Sequence, residues 1–175
     1  MLAALGAATF AVAQSVYAAL QTKIDARAKQ IVAWAADPAI VSAVKAQNAS
    51  GVSGDLASMT QDKWKSLTVL DPLVRGLARN AAGQFLKGKK DDTVTEAFLS
   101  DAEGRKIAFL AKTTNWSHKG KPKHDVPMSG KNWQGPVEVD ESTGQQQLQV
   151  AVPVLDGGKA IGSLVVGLSV TKLNQ

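Results

Sequence analysis

The hydrophobic pattern of the chain changes its period near residue 93, and this change restricts the folds that the sequence can adopt. Before that point apolar residues recur at spacings of three and four, as on one face of a long helix, at Leu20, Ile24, Ala28, Ile31 and Ala35. After it, apolar and polar residues alternate, which is typical of strands joined by short turns. The order predicts an α+β fold in which a long amino-terminal helix and shorter helices pack on an antiparallel sheet.

Three residues predict where helices begin in the first half of the chain. Asp37 is suited to cap a helix over residues 38–48, because its carboxylate accepts hydrogen bonds from free backbone N–H groups and a proline follows it. Asp71 is predicted to cap a second such helix over residues 72–88. Thr60 is the predicted cap of a short helix between them.

Five strands are predicted after the change of period. Short turns rich in Gly, Asp and Ser separate most of them, and the strands cover residues 93–101, 105–112, 135–141, 145–155 and 160–170. The fourth strand is predicted to present Leu148, Val150, Val152 and Val154 on one face. Pro153 predicts an edge or a bulge there, because proline has no N–H group to donate. Residues 113–133 form a long connection between the second and third strands.

The composition excludes several kinds of chemistry. The chain has no cysteine, so disulfides, thiolate–zinc sites and cysteine nucleophiles are excluded. The net charge of +5 is modest for 175 residues and aromatic residues make up only 5% of the chain, so we expect no nucleic-acid partner. The basic excess is concentrated in residues 105–133, where Asp125 is the only acid.

Residues 1–19 form an apolar segment without a charged side chain. Such a segment is typical of a signal peptide or of the remnant of a membrane anchor. It is also compatible with a buried alanine-rich helix, or with a sequence that begins inside a longer reading frame. On the first two interpretations residues 20–175 form a single domain that is periplasmic or extracellular, either secreted or membrane-anchored.

Several pieces of sequence, taken in order, resemble one family of sensor domains. They are AWAADPAIVSAVKAQN at residues 33–48, LDPLVRGLARN at 70–80, VTEAFLSDAEGRKIAF at 94–109, TTNW at 113–116 and VPVLDGGKAIGSLVVGLSV at 152–170. Over residues 20–174 this set resembles the extracytoplasmic PAS-like sensor domains called Cache or PDC domains, which occur on bacterial chemoreceptors, histidine kinases and cyclic-dinucleotide enzymes. The resemblance implies a five-stranded antiparallel PAS-like sheet on which the long helix packs. It also implies a small-molecule pocket between the sheet and the connection.

The connection supplies the residues that we expect to bind a ligand. Thr114, Asn115 and Trp116 match the start of the family's pocket connection, with Asn115 at a position where an Asp is usual. The following SHKGKPKH is basic where many members are acidic, and a basic pocket mouth favours an anionic ligand such as a small carboxylate. The predicted ligand-binding residues are Thr114, Asn115, Trp116, His118, Lys119, Lys121 and Trp133.

Other functions fit the sequence less well. His118, His124 and Asp125 offer metal ligands, but their spacing does not match a helical or finger-like site and the intervening lysines repel a cation. We therefore expect neither a metal nor another cofactor. No GxSxG motif is present, so we expect no enzyme activity, and a hydrolase is the weakest alternative. A secreted protein-interaction module that binds no ligand is the other alternative.

The expected function is that of an extracytoplasmic small-molecule-binding sensor domain in signal transduction or chemotaxis. Its expected partners are a small-molecule ligand and a membrane receptor or kinase. The long amino-terminal helix also predicts a homodimer formed through residues 14–36.

Overall fold

The computed structural model of the protein describes residues 3–139 and 144–175, with side chains from residue 17 onward. Within these ranges the helices are α1 (Ala3–Ala35), α2 (Pro38–Ser50), α3 (Gln61–Ser66), α4 (Pro72–Arg79), α5 (Ala81–Gly88), α6 (Pro122–Met128) and α7 (Val170–Leu173), with a 3-10 turn at Gly54–Leu56. The strands are β1 (Val94–Ser100), β2 (Lys106–Phe109), β3 (Trp133–Gln134), β4 (Glu138–Val139), β5 (Gln146–Asp156) and β6 (Lys159–Ser169). The predicted α+β class is confirmed.

The long helix α1 packs on the sheet through the predicted face, whose five apolar residues are all buried or half-buried in one core. Most of the side chains in residues 1–19, for which a signal peptide or anchor is predicted, lie outside the described part of the structure. No helix among the described residues is long and apolar enough to span a bilayer.

The three predicted helix caps are present. The Asp37 carboxylate accepts a hydrogen bond from the N–H of Ala39 at 2.9 Å, and the Asp71 carboxylate accepts one from Leu73 at the same distance. The hydroxyl oxygen of Thr60 accepts from the N–H of the third residue after it, at 3.2 Å. Each cap satisfies a backbone donor that has no partner within its own helix.

The single helix predicted over residues 72–88 is wrong, because the chain forms two helices, α4 and α5, that are divided at Asn80. Asn80 Oδ1 accepts from the N–H of Gly83 at 2.8 Å and so caps α5. Asn80 Nδ2 donates to the carbonyl of Ile107 in β2 at 2.7 Å, which ties the break to the sheet. A side chain that satisfies both a helix end and a strand carbonyl favours the break over a continuous helix.

The described strands form one antiparallel sheet in the order β2-β1-β6-β5-β3, and β4 also pairs with β5. The sheet therefore has six strands where five were predicted. The added strand is β3, which pairs with Val150 and Ala151, while β4 is the described part of the predicted third strand. Pro136 lies between β3 and β4 and has no N–H group to donate to β5, so the pairing is interrupted there. Residues 140–141 of the predicted strand lie outside the described part.

The two faces of the sheet are covered by different elements. The four apolar residues predicted to share one face of β5 do so, and they pack in the core with α1, α2 and α5. The opposite face presents Phe98, Ala151 and Val165 to Trp64 of α3 and to residues of α4 and the connection. Pro153 itself pairs in register with Ser163, and the irregularity predicted there lies one residue further along. The register shifts between Val154 and Leu155, where Ile161 of the partner strand β6 is the extra residue of the bulge.

The β1–β2 turn, residues 101–105, is organised by the buried carboxylate of Asp101. Its Oδ1 accepts from the N–H groups of Glu103 and Arg105 at 3.0 and 2.8 Å. Its Oδ2 accepts from Arg105 Nε at 2.8 Å and from Gln47 Nε2 of α2 at 2.9 Å. One buried carboxylate thus shapes the turn and attaches it to the helical layer.

Replacing Asp101 with alanine is expected to lower the free energy of unfolding by about 3 kcal/mol, because several buried donors lose their acceptor. Urea denaturation measures the change, and Asp92→Ala, which removes an exposed carboxylate, is the control. If the two variants differ by less than about 1 kcal/mol, the carboxylate of Asp101 does not organise the turn.

Candidate functional site

The connection over residues 113–133 lies on the face of the sheet opposite α1 and contains a helix, α6, that was not predicted. Pro122 occupies the first turn of α6, and Asp125 Oδ1 accepts from the N–H of Gly120 at 3.0 Å. The helix packs on β5 and β6 and buries His124 and Pro127. The connection is therefore an ordered cover on this face of the sheet.

The first three predicted ligand residues hold the start of the connection against α3. Gln61 Nε2 donates to the carbonyl of Thr114 at 2.9 Å, and Gln61 Oε1 accepts from the N–H of Trp116 at 3.0 Å. The Trp116 ring is 5% exposed and packs on Trp64, with 5.2 Å between the ring centroids. Thr114 is exposed and Asn115 is half-buried. These contacts give Trp116 a packing role, and a ligand role for the three residues stays a prediction.

Three other predicted residues lie apart from one another. Lys119 is exposed and pairs with Glu103, and this hydrogen-bonded cation lowers the pKa of the Glu103 carboxyl. Lys121 is exposed at the start of α6. Trp133 is half-buried in β3, where it packs against the core of this face. Of the seven predicted residues, His118 is the one that lies in a group of buried polar side chains.

That group lies between the sheet and the connection, and we call it the polar cluster. Its members are each 4% exposed or less: Ser100, Lys106, His118, His124 and Ser163. Ser100 of β1 is in register with Lys106 of β2 on one side and with Ser163 of β6 on the other. Three neighbouring strands thus present polar side chains at one level of the sheet, and the connection adds the two histidines.

Lys106 is the unusual member of the polar cluster. It is fully buried, and no carboxylate of the described residues lies within 4.0 Å of its amine. The amine contacts His118 Nδ1, lies 3.4 Å from Ser100 Oγ and lies 4.2 Å from the centre of the Phe98 ring. A lysine in this position lacks the counterion that buried cations normally have.

Burial lowers the pKa of the Lys106 amine well below its ordinary value of 10.5, and the nearby Lys123 lowers it further. Glu96 and Asp101 oppose the shift but act more weakly. The Phe98 ring would stabilise a cation by about 0.5–2 kcal/mol. Burying an unpaired ammonium costs several kcal/mol, so burial outweighs the ring and favours the uncharged form of the amine.

The imidazole of His118 is stacked on the Phe98 ring, with 4.7 Å between the centroids and 16° between the planes. Burial, and after it the neighbouring Lys106, lowers the pKa of His118 to about 3. The ring is therefore neutral near pH 7, and its Nδ1 accepts a hydrogen bond from the Lys106 amine while Nε2 carries the proton. In their neutral forms the amine and the imidazole can thus satisfy each other's hydrogen bonding.

His124 fastens α6 to the sheet. Its Nε2 lies 3.3 Å from the carbonyl oxygen of Ala102, which only accepts, so Nε2 carries the proton. Its Nδ1 then accepts from the hydroxyl of Ser163 at 2.8 Å. Burial lowers the pKa of His124, which keeps this ring neutral as well. Ser163 and His124 could in principle act as a nucleophile and its base. Both are only 1% exposed, however, so their hydrogen bond serves to hold α6 on the sheet.

The start of the connection is also fastened to the β1–β2 turn. The N–H of His118 donates to the carbonyl of Gly104 at 3.0 Å, and the hydroxyl of Ser117 donates to the carbonyl of Glu103 at 2.9 Å. The Lys119–Glu103 ion pair adds an exposed contact. Gly104 has a φ of +74°, and a Cβ there would collide with the backbone nitrogen of Lys119, so this close approach requires glycine.

A cavity of about 280 Å³ lies elsewhere, between α1, α2 and the end of β5. Its lining includes Val32, Val41, Pro153 and Leu155 and contains no charged residue. Gly130 and Asn132 of the connection also line it, and the Asn132 amide is the one polar side chain among its lining residues. It therefore offers an anion no cation, and we take the polar cluster as the better candidate for binding a carboxylate.

Lys106, Ser100 and Ser163 were not among the ligand-binding residues predicted from the sequence. Lys106 belongs to the predicted second strand and was counted only as part of a basic segment. The signal that could have identified it is a lysine inside a short run that is otherwise strongly apolar, KIAF at residues 106–109. Within the described residues, His, Asp and Glu side chains form no group of three that could hold a metal ion.

No protein-family model matches the chain, and neither does any curated protein. Solved structures do match. The sensor domain of the Vibrio cholerae histidine kinase DctB aligns with a TM-score of 0.52 and 19% identity, over 96% of this chain and 58% of its own. The ligand-binding domain of the Pseudomonas aeruginosa amino acid chemoreceptor PctC, in complex with GABA, aligns with a TM-score of 0.50 and 16% identity, over 97% of this chain and 61% of its own.

The chain thus spans about three-fifths of the length of these two structures. At such low identity the likeness establishes the fold. The chain has the fold of sensor and ligand-binding domains of a histidine kinase and a chemoreceptor, and the resemblance predicted from the sequence is confirmed at that level.

Proposed function

We propose that the chain is an extracytoplasmic sensor domain of a signalling protein and that it binds a small carboxylate between the sheet and the connection. The observation that carries this proposal is the Lys106 amine, which is buried in the polar cluster without a counterion. Two proteins that share the fold support it. DctB is a histidine kinase, and the PctC domain is in complex with GABA, a molecule that bears a carboxylate.

A carboxylate would complete the polar cluster. Its charge supplies the counterion that a buried ammonium needs, so binding raises the pKa of Lys106 and adds a proton to the amine. The hydroxyl of Ser100 lies beside the amine in the sheet and offers a further donor, whereas the hydroxyl of Ser163 already donates to His124. A hydrogen bond to a charged group contributes about 1.5–3 kcal/mol net. An uncharged molecule of the same shape gains none of this charge pairing.

Access to Lys106 requires the connection to move, because the side chain is fully buried and His118 of the connection lies against the amine. The contacts that hold the connection are the His124–Ser163 hydrogen bond and the bonds from residues 117–119 to the β1–β2 turn. The Lys119–Glu103 pair is exposed, so its contribution is small. We infer an equilibrium between covered and open forms, which a ligand shifts by binding one of them.

Strand β6 connects the site to the end of the domain. Ser163 lies within β6, which passes directly into α7. The Lys23 amine of α1 donates to the carbonyl of Leu173 in α7 at 2.6 Å. A shift of β6 on ligand binding would therefore alter the contact between α7 and α1.

The cellular setting belongs to the same proposal. Residues 1–19 would act as a signal peptide or a membrane anchor, which places residues 20–175 in the periplasm or outside the cell. The partner that receives the signal would be a membrane receptor or kinase. A homodimer through residues 14–36 would pair two copies of α1.

Small carboxylates are expected to raise the melting temperature of the domain in a saturable way, because they bind its folded form. Acetate, succinate and pyruvate are the first probes, and acetamide is the uncharged control for acetate. The shift is expected to disappear in Lys106→Met, which keeps a long side chain but removes the amine. It is expected to persist in Lys131→Met, which removes an exposed lysine near the end of the connection.

A cooperative melt and an unchanged circular dichroism spectrum show that the Lys106→Met variant is folded. If carboxylates still raise the melting temperature of this folded variant, the site lies elsewhere. The same holds if the rise in melting temperature is lost equally in Lys131→Met. A wild-type domain that responds to none of the carboxylates would contradict carboxylate binding itself.

The affinity for carboxylates is expected to fall as the pH rises. The pKa of Lys106 is low in the free domain and higher in the complex, so binding takes up a proton between these two values. Over that interval the affinity drops by up to about tenfold per pH unit. Titration calorimetry in two buffers of different ionisation enthalpy measures the proton uptake. An affinity that stays constant from about pH 6 to about pH 9, with no proton taken up, would mean that the amine is already charged in the free domain.

A further inference from the structure

The amine of Lys106 differs chemically from the exposed lysines of this chain. An ammonium group has no lone pair and cannot attack a carbon atom, whereas an uncharged amine can. The Lys106 amine lies 4.2 Å from the centre of the Phe98 ring and contacts His118 Nδ1, and the described residues place no carboxylate within 4.0 Å of it that would keep it protonated. Desolvation of this kind is one of the ways in which proteins activate a lysine as a nucleophile.

We propose that Lys106 forms a reversible imine with the carbonyl carbon of a 2-oxo acid, so that the domain holds ligands of this class covalently. This inference rests on the proposed function, because it names the class of carboxylate that the same site takes. A 2-oxo acid carries a carboxylate and an electrophilic carbonyl on adjacent carbon atoms, and the polar cluster has a partner for each.

His118 is placed to move the proton that this step requires. As the lone pair of Nζ bonds to the carbonyl carbon, the C=O electron pair moves onto the oxygen. His118 Nδ1, which contacts the amine in the covered form, takes a proton from the nitrogen and returns it to the oxygen once the connection has closed over the ligand. A second proton comes from solvent, the C–O bond breaks and the oxygen leaves as water. The product is an iminium between Nζ and the former carbonyl carbon, and no atom is oxidised or reduced.

The charge of the product explains why a 2-oxo acid fits better than a simple aldehyde. An iminium is a cation, and a lone cation in this cluster would meet the same penalty as an ammonium. In a 2-oxo acid the carboxylate on the next carbon neutralises it, so the bound ligand and Lys106 together carry no net charge. The hydroxyl of Ser100, 3.4 Å from Nζ, is placed to donate to that carboxylate.

Reductive trapping tests the proposal on the full chain. Pyruvate and sodium cyanoborohydride convert the imine to a stable N-(1-carboxyethyl) group, which intact mass and peptide mapping locate. We expect one addition per chain, at Lys106, with succinate slowing it by competition for the same site. The addition is expected to be absent in Lys106→Met and to keep its rate in Lys131→Met. His118→Ala is expected to trap at least tenfold more slowly, because it loses the proton acceptor.

Trapping that is spread over exposed lysines and leaves Lys106 unmodified would overturn the proposal. So would a rate at Lys106 that is unchanged by His118→Ala in a variant that melts cooperatively. These failures are separate from failure of carboxylate binding. If acetate and succinate still raise the melting temperature through Lys106 while pyruvate forms no adduct there, the domain binds carboxylates without covalent capture.

Discussion

The arrangement of the connection depends on one constraint, a lysine amine that is buried against the sheet without a counterion. The His118 imidazole lies against the Lys106 amine and accepts its hydrogen bond, and the Phe98 ring contacts both groups. Burial lowers the pKa of both nitrogen bases and so favours their neutral forms, which avoids the cost of a buried charge in the cluster. The same arrangement leaves an amine that gains strongly from any anion that reaches it. The stability of the covered form and the affinity of the proposed site therefore have one physical origin.

The β1–β2 turn joins this cluster to the rest of the domain. On one side, Gln47 of α2 donates to the buried carboxylate of Asp101, which anchors the turn in the helical layer. On the other side, the carbonyls of Ala102 and Gly104 accept from His124 and His118 of the connection. A second hydrogen bond, from the N–H of Ala102 to Asn48 Oδ1 at 3.0 Å, also joins the turn to α2. A movement of the connection would therefore act on the turn directly and on α2 through these two hydrogen bonds. The turn thus links α2, which packs on one face of the sheet, to the connection, which covers the other face.

Local interactions could be predicted from the sequence and distant ones could not. The Asp37 cap was predicted because it acts on a backbone group two residues away, and the face of β5 was predicted because it follows a simple alternation. The break at Asn80 was missed because its side chain serves β2 as well as α5. For the candidate site, the sequence identified the basic segment, yet the predicted Lys119 lies in solvent while Lys106 lies in the preceding strand. Its partner His118 comes twelve residues later, so the pair depends on the path of the connection.

The charge of a single side chain tests the account most directly. In protein labelled with 13C and 15N at lysine, the Cε and Nζ chemical shifts of Lys106 report whether the amine carries a proton, and Lys106→Met assigns the signal. We predict that near pH 7 the free domain shows the chemical shifts of a neutral amine, and that saturating acetate moves them to those of an ammonium. The shifts of an ammonium in the free domain, or neutral shifts that acetate does not move, would contradict it.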